Sequence, residues 1–296
     1  MIQDIAPQVM HNEFRDEGPE KAGSGETVFV CGERSVACRV EEGTGVFFPS
    51  LREFLSDGGE REELHYLFAI DDRRYWLYLG EKDVYPMAEN TDDAAENERE
   101  RYALHSTRIL RRTQPKAECY AAETAYHLYV WYRDNRYCGR CGGRNEFSHK
   151  ERAMCCPSCG NIIYPKIAPA VIVGIMNEDK DKIIVTRYAG RAHKGNALVA
   201  GFCEIGETAE DTVRREVMEE VGLHVRDVHY YKSQPWGFDL DLLLGYYCTV
   251  DETESIQMDG RELARAVWVG REDLGEENAQ LSLTADMIMN FKRGDV

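Results

Sequence analysis

From residue 116 to residue 136, Ala117, Tyr120, Ala121, Thr124, Ala125, Leu128, Trp131 and Tyr132 recur at helical spacing. This predicts a helix whose first turn holds Pro115. The pattern is different on either side. Before the helix, residues 26–30, 64–70 and 75–79 are short runs rich in β-branched and aromatic side chains, which predicts strands. Asp57, Gly58 and Gly59 mark a turn, and the acidic stretch 88–101 reads as an exposed loop or helix. After Lys166, residues 170–175 and 182–186 predict strands joined by the polar turn 177–181. Further strands are expected at 197–200, 223–231, 240–250 and 266–269. Between them, Thr208 or a nearby acidic residue starts a helix and Gly222 stops it, with Val213, Val217 and Val221 on one stripe. Thr284 is the expected cap of a last helix running through Asn290. The pattern predicts an α+β unit over 1–114, a helix with a small module over 115–165, and an α/β unit over 166–296. In the last, a mixed sheet is flanked by helices.

Composition narrows the function classes. At 296 residues the chain has room for two domains and a small third. A net charge of −17 argues against broad, sequence-independent nucleic-acid binding, which needs a basic surface. It leaves an anionic substrate open, because bound divalent cations and a few local basic side chains invert the field at a site. Arg108, Arg111 and Arg112 read as a solvated basic patch, with a phosphate contact as the alternative. No stretch approaches the length that crosses a bilayer. The start of the chain lacks a basic region followed by an apolar core, so the expected location is cytoplasmic, with no membrane partner.

Of ten cysteines, six are scattered (Cys31, Cys38, Cys119, Cys155, Cys203 and Cys248). The other four form two Cys-x-x-Cys pairs, Cys138 with Cys141 and Cys156 with Cys159, separated by fourteen residues. This is zinc-ribbon spacing. Gly139, Gly142 and Gly160 ease the two knuckles. Four thiolates close a tetrahedral site and leave no open position, so the expected Zn²⁺ is structural. Cys155 competes with Cys156, but only Cys156 has the right spacing to Cys159. Such ribbons also occur in nucleic-acid-binding proteins, so the module alone leaves function open.

The helix ended by Gly222 carries the chemistry. At about 100° per residue, Glu216, Glu219 and Glu220 fall on one arc beside the valine stripe. Glu216 and Glu220 are an i,i+4 pair of like charge, which repels unless a cation lies between them. Carboxylate oxygens suit Mg²⁺ or Mn²⁺, ions commonly bound together with substrate phosphates. Gly201 and Gly206 let the preceding loop turn tightly or approach a ligand. Arg215 is the expected partner of one glutamate. On spacing alone, a solvated acidic helix face is the alternative.

The run Gly201, Glu207, Arg215, Glu216, Val217, Glu219, Glu220, Gly222 and Leu223 resembles the Nudix box in nine positions of one register. The resemblance implies a metal-dependent hydrolase of nucleoside diphosphate derivatives built on an α/β/α sandwich. The ribbon just before it, the segment 164–169, and Ser233, Gln234, Pro235, Trp236, Gly237 and Phe238 after it are similar to the NADH pyrophosphatase family. That family's downstream motif reads Ser-Gln-Pro-Trp-Pro-Phe-Pro-x-Ser. The likeness is strong over 136–286 and faint before. Gly237 and Asp239 stand where the family has proline, and Asp241 where it has serine. Glycine loosens a loop that proline stiffens, and the aspartates add negative charge near an anionic ligand unless they meet metal or a ribose hydroxyl. These departures bear on preference for NADH rather than on the reaction.

By that resemblance Glu216 and Glu220 are metal ligands, Glu219 is a third ligand or the water-orienting base, and Glu262 is a distal acidic ligand for Mg²⁺ or Mn²⁺. Gln234, Pro235, Trp236, Gly237, Phe238, Asp239, Leu240 and Asp241 contact substrate. Tyr164 and Phe202 sandwich the nicotinamide ring, where ordinary packing is the alternative. Glu151, Ala200 and Ala285 match further substrate positions; for Glu151, a surface acid is the alternative. The implied reaction is in-line attack of water on the diphosphate bridge of NAD(H), giving nicotinamide mononucleotide and AMP. NAD-capped RNA 5′ ends are a second implied substrate, and a homodimer the implied assembly. Two other readings stay open: a hydrolase of ADP-ribose or FAD, and a Nudix-fold ligand-sensing regulator.

Overall fold

The computed structural model describes residues 1–41, 45–88, 101–188, 196–258, 263–276 and 281–296, with no description of the Tyr188 side chain. Nearly all of the acidic stretch 88–101, and Glu262, therefore lie outside the described residues. The chain forms two compact units. One comprises Met1, Ile167–Trp236 and Asp241–Val296; the other comprises Ile2–Lys166 with Gly237–Leu240.

In the second unit, Leu64–Ile70 and Arg73–Tyr78 pair antiparallel, with Met10–His11 and Thr27–Phe29 outside them. A second four-stranded sheet is built on Ser35–Val40, which pairs with Cys31–Gly32, Val46–Phe47 and Ala103–Ser106. The short helix Leu51–Ser56 was not legible from periodicity, because six residues are too few to show it. Its signal is local: Ser50 and Glu53 form a reciprocal capping box, and Leu51 and Phe54 are buried. The predicted turn at Asp57 and Gly58 is the end of this helix, with Gly58 at φ +90°. The helix expected over 116–136 spans Lys116–Asp134, with Pro115 as its cap residue. Ala117, Ala121, Ala125, Leu128, Trp131 and Tyr132 are buried on it as expected, and Cys119, Glu123, Tyr126 and Val130 form a second buried row.

The first unit holds, among the described residues, a six-stranded mixed sheet. Its path is Arg226–Trp236, Asp241–Val250, Ala168–Asn177, Lys182–Tyr188 and Leu263–Gly270, with Val199–Phe202 also on Ala168–Asn177. Ala168–Asn177 and Asp241–Val250 run parallel; the other pairings are antiparallel. A strand buried on both faces reads as a continuous apolar run, and residues 170–176 are all buried. Val171, Val173 and Ile175 pack beneath helix Ala209–Val221 with Val213, Val217 and Val221. Ile172 and Met176 pack on the other side beneath helix Leu283–Arg293 with Leu283, Met287, Ile288 and Phe291. This is the expected α/β/α sandwich.

Some boundaries differ. The last helix is capped by Ser282, not Thr284: Ser282 Oγ accepts from the Ala285 N–H at 3.3 Å, and the helix runs to Arg293 before Gly294 at φ +83°. Leu223 is not a strand residue. It follows the left-handed Gly222 cap and is buried in the valine cluster, so the strand begins only at Arg226. The turn after Asn177 is built by its side chain, whose Oδ1 accepts from the Asp181 and Lys182 N–H groups.

Phe291 is fully buried under the sheet. Phe291→Ala is expected to destabilise this unit by about 3–5 kcal/mol, read from a urea unfolding titration.

Candidate active site and metal centre

The acidic helix is held from both ends and from below. Strand Val199–Phe202 delivers the chain to the sheet edge, with Ala200 opposite Ile172 and Phe202 opposite Ala170. The loop turns at Gly206, φ +99°. Thr208 Oγ1 accepts the Asp211 N–H at 3.1 Å and starts helix Ala209–Val221; Gly222, at φ +69°, ends it. With the three valines pinned to the sheet, the neighbouring arc presents Glu216, Glu219 and Glu220 at graded depth. Glu220 is buried, the Glu216 side chain is 12% exposed, and that of Glu219 is 60% exposed.

Arg215 organises this arc more widely than the single partnership expected. Its Nε donates to Glu207 Oε1 at 2.7 Å and its Nη2 to Glu207 Oε2 at 2.9 Å. Its Nη1 donates to Glu216 Oε1 at 2.7 Å and Glu219 Oε2 at 3.0 Å. Nη2 also reaches the Phe202 carbonyl at 2.9 Å. One guanidinium thus joins three carboxylates and the preceding strand. Arg215, with help from the Glu204 N–H and the Thr212 hydroxyl, holds the Glu207 carboxyl down at about 2. Glu207 in turn raises Arg215 above its ordinary value. Gly201 completes the cradle. A Cβ there would fall 1.9 Å from the Glu216 carboxyl carbon, so only glycine leaves room for that carboxylate. The donors on offer are all carboxylate oxygens, which by their chemistry suit Mg²⁺ or Mn²⁺ and match thiophilic metals poorly; among the described residues, however, the glutamates are not drawn together as a closed ligand group, as the ribbon cysteines are.

The other expected site residues fall into separate groups. Tyr164 and Glu151 are brought together: the Tyr164 hydroxyl donates to Glu151 Oε1 at 3.1 Å, and the ring stays exposed. Phe202 is likewise exposed, while Ala200 is half-buried against the sheet. Gln234 is fully buried, and its side-chain amide is engaged internally: Nε2 donates to the Leu281 carbonyl and Oε1 accepts from the Leu283 N–H. Pro235 is exposed and Trp236 half-buried, at the end of their strand opposite the buried Asp241. Gly237 is buried; Phe238 and Leu240 are half-buried, Asp239 is exposed, and Leu240 sits at φ +69°. Ala285 lies in the first turn of the last helix. Arg108 and Arg111 belong to the turn Thr107–Arg111, followed by Arg112. Sequence reasoning missed Glu123, whose carboxyl oxygen accepts the Gly237 N–H; its only signal was an acid within the apolar row Cys119, Tyr126 and Val130.

In the ribbon, the ligand atoms of Cys138, Cys141, Cys156 and Cys159 lie within 4.8 Å of one another. Two sulfur pairs are at 3.4 and 3.7 Å, close to the roughly 3.8 Å that a tetrahedral Zn²⁺ with ~2.3 Å bonds requires. Each knuckle closes the same way, by the Gly142 N–H to the Cys138 carbonyl and the Gly160 N–H to the Cys156 carbonyl. Gly142 and Gly160 adopt φ +75° and +70°; Gly139 is not left-handed, so its glycine is not needed for the turn. Cys155 is outside the cluster, on strand Met154–Cys155.

The NUDIX domain family model matches residues 166–289, and the NADH pyrophosphatase zinc ribbon domain model matches residues 133–164. Proteins named NAD-capped RNA hydrolase NudC from Salmonella typhi and from Escherichia coli O1:K1 / APEC are each 40% identical over 147 residues, 50% of this chain and 56% of theirs. The match thus spans just over half of those relatives. A solved NUDIX hydrolase from Nitrosomonas europaea is 20% identical with a TM-score of 0.40, covering 53% of this chain and 91% of its own.

Two outcomes follow from these centres. Cys156→Ser should release zinc to a chromophoric chelator while Cys155→Ser retains it. Gly201→Ala should weaken Mn²⁺ binding about 10–100-fold, as measured by electron paramagnetic resonance, by displacing the Glu216 carboxylate.

Proposed function

We propose that this chain, a zinc ribbon followed by a Nudix domain, hydrolyses the diphosphate bridge of NAD(H) to nicotinamide mononucleotide and AMP. The observation that carries the reading is the Arg215-centred set of carboxylates with Glu216 seated over Gly201. The zinc ribbon is structural, since its four ligands leave no place for substrate.

In this reading Glu216 and Glu220 hold the ion, and the distal Glu262 adds a further carboxylate. Bound Mg²⁺ or Mn²⁺ would neutralise the bridging phosphate oxygens and acidify the attacking water. Glu219 is the most exposed of the three box glutamates, which suits a group that must meet water. It takes the proton as the water oxygen bonds to phosphorus and the bridging P–O bond breaks. Arg215 keeps Glu219 and Glu216 oriented. The exposed rings of Phe202 and of Tyr164 offer stacking surfaces for a base. The segment from Pro235 to Asp241, with Glu151, Ala200 and Ala285, supplies the remaining substrate contacts. Gln234 belongs to this set through its position in the strand, its side chain being engaged elsewhere.

The relatives' name supports NAD-capped RNA as a substrate of the same site. The net charge of −17 favours the free dinucleotide first. A homodimer and a cytoplasmic location complete the reading. Among the described residues, no helix is long and apolar enough to cross a membrane. Gly237 and Asp239, in place of the prolines of the resembling family, favour a second reading in which ADP-ribose or FAD is preferred.

With Mn²⁺ and NADH, the protein should yield reduced nicotinamide mononucleotide and AMP, separated by liquid chromatography. Glu219→Gln should cut turnover by roughly 10²–10⁴-fold with the circular dichroism spectrum unchanged. Faster cleavage of ADP-ribose than of NADH would transfer the assignment to the second reading, and failure to cleave any dinucleotide would remove it.

A further inference from the structure

Glu123 is 1% exposed in the middle of helix Lys116–Asp134. A carboxylate so deeply buried is costly unless something engages it. Its Oε1 accepts the Gly237 N–H at 2.6 Å, and the Phe238 N–H also hydrogen-bonds the carboxyl group. Gly237 lies so close to the helix that a Cβ on it would sit 2.6 Å from the Glu123 carbonyl oxygen and 2.9 Å from the Glu123 Cγ. All of these atoms belong to one compact unit, which includes Gly237–Leu240.

The two residues match as a pair. Any side chain at position 237 collides with helix backbone, and a proline would also lack the N–H that Glu123 engages. This accounts for a glycine at a position where the resembling motif has proline. We propose that Glu123 is a positioning residue: its carboxyl group clamps the segment Gly237–Leu240 to the helix and thereby sets how tightly the enzyme takes up substrate. The second half of that statement rests on the reading of this segment as a substrate contact.

Charged and titratable groups face Glu123 from each packed element: Arg111 from the turn Thr107–Arg111, Asp239 from the segment itself, and Cys119 and Tyr120 from its own helix. Burial dominates and lifts the carboxyl from its ordinary 4.5 to about 8. Between those values the folded chain holds a proton that the unfolded chain has released. The stability this contributes is full below pH 4.5 and is lost as pH rises through about 8. Glutamine keeps the acceptor oxygen and has no proton to lose, so Glu123→Gln should preserve the clamp and abolish that pH dependence.

The test combines hydrogen exchange of the 237–240 amides, in full-length protein without substrate, with steady-state kinetics on NADH and Mn²⁺. Glu123→Ala should speed exchange in the segment about tenfold and raise KM by a similar factor, with kcat within about twofold. Glu123→Gln should restore both at pH 7, while its melting temperature loses the decline that the wild type shows between pH 5 and about 8. If Glu123→Ala fails to fold, Gly237→Ala, which forces the segment off the helix, should give the same exchange and KM changes. Unchanged exchange, or a Gln variant that behaves like Ala, would overturn the clamp. Lost protection with unchanged KM would overturn its link to substrate and leave the hydrolase reading standing. Absence of any dinucleotide cleavage by the wild type would defeat that reading, while exchange would still judge the clamp.

Discussion

The Nudix unit gathers Glu207, Glu216 and Glu219 at one helix and loop, where mutual repulsion opposes folding. The Arg215 guanidinium resolves this by donating to all three and to the Phe202 carbonyl. Its planar fork matches carboxylates as a lysine ammonium cannot. Arg215 holds the Glu207 carboxyl well below the usual carboxylate range, so the central ion pair is intact at neutral pH. The same residue ties the helix to strand Val199–Phe202, so the carboxylates it engages are held against the sheet. Gly201 supplies the other half of the constraint, since its bare Cα is what allows the Glu216 carboxylate to lie against the strand.

Much of this was legible in the sequence because it depends on local rules. Thr208, Gly222 and the valine stripe fix a helix by capping and periodicity alone, and the two Cys-x-x-Cys pairs imply a closed four-sulfur site. The central strand was legible too, since double-sided burial leaves a run with almost no polar residue. What stayed hidden depends on tertiary contact. Leu223 looks like the start of a strand until the left-handed cap before it turns it into the core. Thr284 and Ser282 are equally good cap residues in composition, and only the backbone position of Ala285 decides between them. The reach of Arg215 to Glu207 across the loop was likewise invisible in a helical wheel.

Gln234 and Glu123 show a different limit. Each is polar and buried, and each is explained by backbone groups far away in sequence: Leu281 and Leu283 for Gln234, Gly237 and Phe238 for Glu123. Hydropathy assigns such residues no partner, because the partner is a main-chain atom that every residue carries. The departure of position 237 from the resembling motif therefore read as a looser loop. Its neighbour on the helix gives it the opposite meaning, a glycine required by close approach.

The parallel pairing of Ala168–Asn177 with Asp241–Val250 has a consequence for how the protein is made. These strands lie about 70 residues apart in sequence, and the sheet cannot be completed before that closure. During synthesis the apolar segment 170–176 leaves the ribosome well before its parallel neighbour exists. It is a stretch on which a nascent-chain chaperone has reason to act, and high-level expression without one should favour aggregation.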